Sequence, residues 1–406
     1  MHIALFILYS LICGYGILRL PFFRNSGIRP GVLFLLFALH VGAGCLHNVI
    51  AWRFYPHHGD IWSYYENSID MGHELWTDFH AFLVDNGTWD RFTHNSLISI
   101  HIILSLFSFQ NLYINTLLFS FPVFLGTTAL FRVFRRHFPG SMLTALSVYL
   151  LPSVLFWTSC IHREGALYML LGFFFYSLPG RRFFIIILWF LLIAYFRSAV
   201  ALSLLPALAA WWWLSIPSRP LRQKILLTGS AILLVVILLA GPLLLRMLAH
   251  QQQSFQVLEG RSRIDLPVLD GSLTSLLHTL PAALLNGWLE PLPGAGGQKI
   301  YTVFSLELLL IWAIAAFSIL RRLSTRSTSH RATPPAPQDH FAACCLLFAL
   351  LGMLLVGLVV PFVGAIVRYR SIYLPFLLAP FLHCLCSTPF LRRFEDWITP
   401  RISHRL

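Results

Sequence analysis

FAACCLLFALLGMLLVGLVVPFV (341–363) runs for 23 residues without an Asp, Glu, Lys or Arg, directly after the polar, Pro/Ser/Thr-rich RRLSTRSTSHRATPPAPQDH (321–340). A helix needs about 20 apolar residues to cross the hydrocarbon core of a bilayer, so the first stretch is long enough to span. The second reads as a flexible cytoplasmic connection outside lipid. This alternation recurs along the chain, with apolar stretches at 3–20, 31–52, 112–131, 140–160, 165–178, 183–196, 198–214, 225–248, 301–320, 341–363 and 372–390. The composition agrees: of 406 residues 57% are hydrophobic and 11% charged, with a mean hydropathy of +0.72. A soluble domain of this size is far less apolar. The expected fold is therefore all-α, a polytopic integral membrane protein with about eleven transmembrane helices forming a single membrane domain.

Orientation follows from the distribution of Lys and Arg between alternate loops. With the N-terminus outside, 19 of the 29 basic residues fall on the cytoplasmic side, accompanied there by three acids, Asp339, Glu395 and Asp396. The formal charge of +13 thus reports membrane orientation and gives no ground for a nucleic-acid partner. The first apolar stretch lacks a basic leading region and is followed by RLPFFRNSGIR, so it is expected to remain as a span. Cysteines 13, 45, 160, 344, 345, 384 and 386 lie almost wholly in apolar stretches and read as buried small hydrophobes, in preference to a disulfide or a zinc site. There is no glycine-rich phosphate loop and no internal repeat.

Two outer segments hold the candidate chemistry. In 53–111, Glu66, Asp70, Glu74 and Asp78 recur every four residues, which places them along one face of an amphipathic helix lying at the outer membrane surface. As a plain solvated stripe they would have no further role. Asp60, in HHGDIWSYYENS (57–68), is read as lying off that stripe and just before the helix, where it is either an N-cap or a catalytic carboxylate. Asp60 and Glu66 are the catalytic candidates. His57 and His58 could join Asp60 in a divalent-cation site, or simply occupy a turn. LISIHIILSLFSF (97–109), at 13 residues, is expected to be interfacial or re-entrant. In the second segment, 249–300, LTSLLHTLPAALLNGWLEPLPG (273–294) is expected to form a surface helix broken at Pro281.

Outer basic residues run against the orientation bias. Arg163, Arg197, Arg368 and Arg370 all sit at outer span ends, and a guanidinium fork suits bidentate phosphate binding. Glu164 and other carboxylates could instead neutralise them. Glu307 falls about seven residues into its span, where an ionised group is costly and is either functional or paired.

Three short motifs carry a resemblance: the Gly59-Asp60 pair followed by aromatic residues, the segment from Pro152-Ser153 through Phe156-Trp157-Thr158-Ser159 to Arg163-Glu164, and Arg368-Tyr369-Arg370. Together they resemble a family of bacterial multi-span envelope proteins, similar in layout to the C-class (GT-C) membrane glycosyltransferases and to exopolysaccharide polymerases. The resemblance implies an early outer acid acting as base or metal ligand, a role falling to Asp60. It also implies basic residues holding the phosphate of a polyprenyl-linked donor, a role open to Arg163, Arg368 and Arg370. Arg197, Glu164, Glu307 and Tyr369 complete the candidate substrate-binding residues. The C class usually carries paired acids after its first span, whereas Asp60 is single and follows the second.

The function so implied is transfer of a sugar from a polyprenyl-phosphate carrier to a glycan or lipid acceptor. It would take place at the outer face of the bacterial cytoplasmic membrane, in envelope polysaccharide synthesis. A polymerase joining lipid-linked units, or a transporter of a charged lipid or glycan, would use the same features differently.

Overall fold

A computed structural model of the chain describes residues 1–55, 59–78, 80, 96–138, 143–180, 182–258, 260, 262–293, 299–327 and 337–385. Helices make up nearly all of them. Among the described residues the pairing outside helices is a single antiparallel bridge between Arg263 and Phe362. The described residues form two compact units, one from Met1–Val133 with Val148–Phe196, the other from Phe134–Ser147 with the chain from Arg197 onward.

The first unit opens with α1 (His2–Arg19) and α2 (Pro30–Phe54), whose Pro30 sits at the first helical position, where its missing N–H removes no helical bond. Gly59 then takes a positive φ of 71°, and a Cβ there would meet the Tyr55 ring. Only glycine tolerates this entry into α3 (Gly59–Thr77) easily. Ile61, Ser68, Met71 and Gly72 form the buried side of α3, while Asp60, Glu66, Asp70 and Glu74 are exposed. The amphipathic helix is thus present, with one correction: Asp60 lies inside its first turn rather than ahead of it, on the exposed side. Met71 packs with Ile98 and Ile102 of α4 (Ser96–Ser108).

Helix α5 (Leu112–His137) begins where Asn111 Oδ1 accepts from the Tyr113 and Ile114 amides, both at 3.1 Å. Such a cap satisfies two of the amides that a helix start leaves over. The stretch 140–160, expected as one span, is instead divided. A π-turn at Leu146–Leu150 precedes α6 (Pro152–Thr158), because Pro152 lacks an amide to donate and forces Leu151 into extended backbone. After α7 (Arg163–Ser177) and α8 (Phe183–Phe196) the first unit ends. A Cβ on Gly172 would overlap the Gly126 carbonyl, so α5 and α7 meet backbone to backbone, as small residues permit in membrane bundles.

The second unit contains α9 (Ser198–Leu214), α10 (Arg219–Gln256), α11 (Leu273–Leu289), α12 (Lys299–Ser327), α13 (Pro337–Val359), α14 (Val363–Arg370) and α15 (Leu374–Leu385). Its centre is α13, which packs on both α9 and α11. Gly287 and Gly357 let α11 and α13 approach so closely that a methyl on either would strike the other helix's backbone. The expected break at Pro281 does not occur, and α11 runs through it. Packing along α13 offsets the one hydrogen bond the proline removes. At the start of α11, the Ser272 hydroxyl, followed by that of Ser275 and the Ser272 amide, holds the exposed Asp270 carboxyl down to about 2. Ser272 Oγ also accepts from the Ser275 amide at 3.1 Å, capping the helix.

Among the described residues, five helices are long and apolar enough to cross a membrane: His2–Arg19, Pro30–Phe54, Leu112–His137, Ile300–Ser324 and Asp339–Val359. A sixth is counted if Val363–Arg370 and Leu374–Leu385, bent by 58°, form one span. The chain is therefore an all-α, multi-pass membrane protein, and full-length helices among the described residues account for five or six of the eleven expected spans. The apolar helices α7, α8 and α9, of 15, 14 and 17 residues, reach roughly 21–26 Å at 1.5 Å per residue, short of a core about 30 Å thick. The expected stretch 225–248 lies within the 38 residues of α10.

Candidate functional site

Two groups of chemically active side chains stand out, one in each unit. In the second unit the Arg197 guanidinium carbon lies 3.6 Å from the centroid of the Tyr369 ring, and that of Arg368 lies 5.6 Å from the same ring. Arg197 sits at the N-cap of α9, while Arg368 and Tyr369 belong to the last turn of α14. The backbone holds this arrangement from two directions. The Ile264 amide donates to Pro361 O at 2.7 Å and the Val363 amide to Ser262 O at 2.9 Å, fixing the start of α14.

Gln252 on α10 anchors the segment that joins α10 to α11. Its amide donates to Pro267 O and Leu358 O, each at 3.0 Å, and its carbonyl accepts from the Leu269 amide at 2.7 Å. Burial with all three contacts made is what a polar side chain in a core requires.

Arg370, two residues from Arg368, is placed quite differently. It is 1% exposed and donates to Gly287 O at 3.2 Å and to Glu290 O. These carbonyls end α11, where a cation complements the helix dipole. Glu307, itself buried, and Glu290 both act electrostatically on Arg370. The structure thus brings together Arg197, Arg368 and Tyr369, and engages Arg370 and Glu307 in holding α11 and α12 around it.

Arg163 and Glu164 belong to the other unit, in the first turn of α7, with Arg163 half-buried and Glu164 fully buried. Immediately before them comes a turn that the sequence reading passed over. Gly44 of α2 lets Ser159 O come close, Ser120 Oγ on α5 donates to that same carbonyl at 3.0 Å, and the His162 amide donates to Cys160 O at 2.7 Å. Ser159–His162 is therefore clamped between α2 and α5. It places Cys160 and His162 beside His47 of α2, with donor atoms all within 4.8 Å of one another. All three residues are buried. Phe156 and Trp157 wall the group, with ring centroids 4.6 and 5.2 Å from that of His47. Cys160-Ile161-His162 was the available signal, but a cysteine in an apolar run reads as core.

Asp60 and Glu66 are exposed on α3 in this same unit. His57 and His58, proposed with Asp60 as cation ligands, lie outside the described residues, as do 81–95, Glu259, Arg261 and 328–336. Comparison with protein families, characterised proteins and solved structures finds no match for the chain.

Proposed function

We propose that this multi-pass membrane protein is a glycosyltransferase that takes a sugar from a polyprenyl-phosphate carrier at the outer face of the bacterial cytoplasmic membrane. The observation that carries the reading is the convergence of Arg197 and Arg368 on Tyr369. Two guanidinium groups gathered on one ring form a site for a multiply charged anion, and phosphate suits their planar forks. In such a transfer the acceptor hydroxyl bonds to the anomeric carbon, the bond from that carbon to the carrier phosphate breaks, and the arginines stabilise charge on the departing phosphate. The hydroxyl proton needs a base, and Asp60 is the carboxylate assigned to it from the sequence.

The test is binding of a polyprenyl phosphate to purified protein, paired with sugar transfer from a lipid-linked donor. Arg197→Lys and Arg368→Lys keep the charge and lose the fork, so each is expected to weaken binding about tenfold, or 1.4 kcal/mol. Wild-type affinity in both would remove the anion site. Binding without any transfer would favour a transporter of the same lipid.

A further inference from the structure

We propose that His47, Cys160 and His162 form a binding site for a first-row transition metal ion of the zinc type. Three features support it, and none depends on the glycosyl-transfer reading.

The first is the donor set. Two imidazoles and a thiol are the groups that borderline-soft ions such as Zn²⁺ prefer over the oxygen ligands sought by Mg²⁺ or Ca²⁺. The second is distance. Ligands bound at 2.0–2.3 Å in a tetrahedron stand roughly 3.3–3.8 Å apart, so donor atoms already within 4.8 Å reach a shared ion through small side-chain rotations.

The third is preorganisation. His47 lies on α2, and Cys160 and His162 lie on a turn more than a hundred residues later, yet that turn is tied to both α2 and α5. Around the donors the surroundings are apolar and aromatic, as expected where metal binding is tightened by exclusion of water. Cys160 Sγ is directed at Phe156 O and Trp157 O at 3.7 and 3.9 Å, long contacts that a thiolate would exchange for the metal. Asn48 Oδ1 and Ser159 Oγ, on the residues adjoining His47 and Cys160, are buried and have no hydrogen-bond partner among the described residues. Buried polar atoms of this kind call for water or a further ligand close by. Three protein ligands leave the fourth position to a water molecule or to an incoming donor, the arrangement of an open rather than a closed zinc site.

The experiment uses the full chain purified in detergent, with metal content measured after incubation with Zn²⁺ and removal of excess ion. About one equivalent is expected in the wild type, falling at least fivefold in His47→Ala, Cys160→Ser and His162→Ala, while His40→Ala keeps the wild-type content. Loading with Co²⁺ should produce a thiolate-to-cobalt charge-transfer band in the near ultraviolet, and Cys160→Ser should lose it. If the variants fail to fold, X-ray absorption of the zinc-loaded wild type decides: one sulfur with two imidazole nitrogens supports the site. A zinc shell without sulfur, wild-type zinc below about a tenth of an equivalent, or content unchanged in all three variants would each overturn it.

Discussion

The guanidinium carbon of Arg197 stands 3.6 Å above the ring of Tyr369, while Tyr369 also receives Arg368 at 5.6 Å, so one aromatic residue positions two cations. A cation over an aromatic face gains about 0.5–2 kcal/mol, more as water is excluded. The ring offsets part of the repulsion between the two charges, and the proposed phosphate site depends on it. Tyr369→Leu should therefore weaken polyprenyl phosphate binding about threefold to thirtyfold even though it removes no charge. Tyr369→Phe retains the ring and should bind as the wild type does. Equal loss in both variants, measured by titration, would place the effect in the hydroxyl instead.

Arg370 answers to a different measurement. Its Nη1 donates to the carbonyls of Gly287 and Glu290, and Glu307 acts on its charge electrostatically. Removing one member of a buried charge pair costs about 3–5 kcal/mol, whereas replacing both by apolar residues is often close to neutral. Arg370→Met should lower the unfolding temperature markedly, and Arg370→Met with Glu307→Met should recover much of the loss. A single variant as stable as the wild type would release Arg370 from this structural role.

Gln252 makes a prediction about the segment that joins α10 to α11. Gln252→Leu withdraws the amide nitrogen that donates to Pro267 O and to Leu358 O, and the acceptor for the Leu269 amide. Each buried group so deprived costs about 1–3 kcal/mol. Limited proteolysis should then cut within 262–271 at protease concentrations that leave the wild type intact. Identical cleavage patterns would mean that the segment is held by other contacts.

Much of this fold was legible because charge-free stretches such as 341–363 announce a helix in lipid by length alone. Breaks were harder to read. The apolar run at 140–160 looks continuous, and Pro152 ends it through the geometry of Leu151 rather than through any change in hydropathy. Pro281 misled in the opposite direction, since the close approach of Gly287 and Gly357 that compensates for it is a tertiary contact. Orientation bias singled out Arg368 and Arg370 equally, yet one faces a ring and the other is sealed against helix carbonyls. Two positions on a helix turn in different directions, and a loop's charge does not reveal which. His47 and the Cys160–His162 turn share no local pattern at all, so their meeting could be read only from the packed helices.

Orientation in the membrane remains a proposal from charge asymmetry, and accessible positions now exist to test it. Asp265 and Ser324 are both exposed. With an impermeant maleimide on intact cells, Asp265→Cys should be labelled and Ser324→Cys should not, after correction for native thiols. The reverse pattern would turn the protein over and move the arginine site to the cytoplasmic face.

Asp60 offers the sharpest separation of chemistry from architecture. Its place in the first turn of α3 gives the carboxylate a favourable interaction with the helix dipole, worth about 0.3–1 kcal/mol at an exposed position. Asn lacks that charge, so Asp60→Asn should fold and insert with at most a small loss of stability. It also cannot take a proton at neutral pH, and removal of a general base costs roughly a hundredfold or more. Glu66→Gln, one of the exposed acids of the same helix, should retain most activity if that stripe is only solvated. The assay is sugar transfer from a purified lipid-linked donor, with unfolding temperature recorded on the same samples. Full transfer by Asp60→Asn would strike this residue from the mechanism, and a large loss in Glu66→Gln would move the base roughly 1.7 turns along the helix.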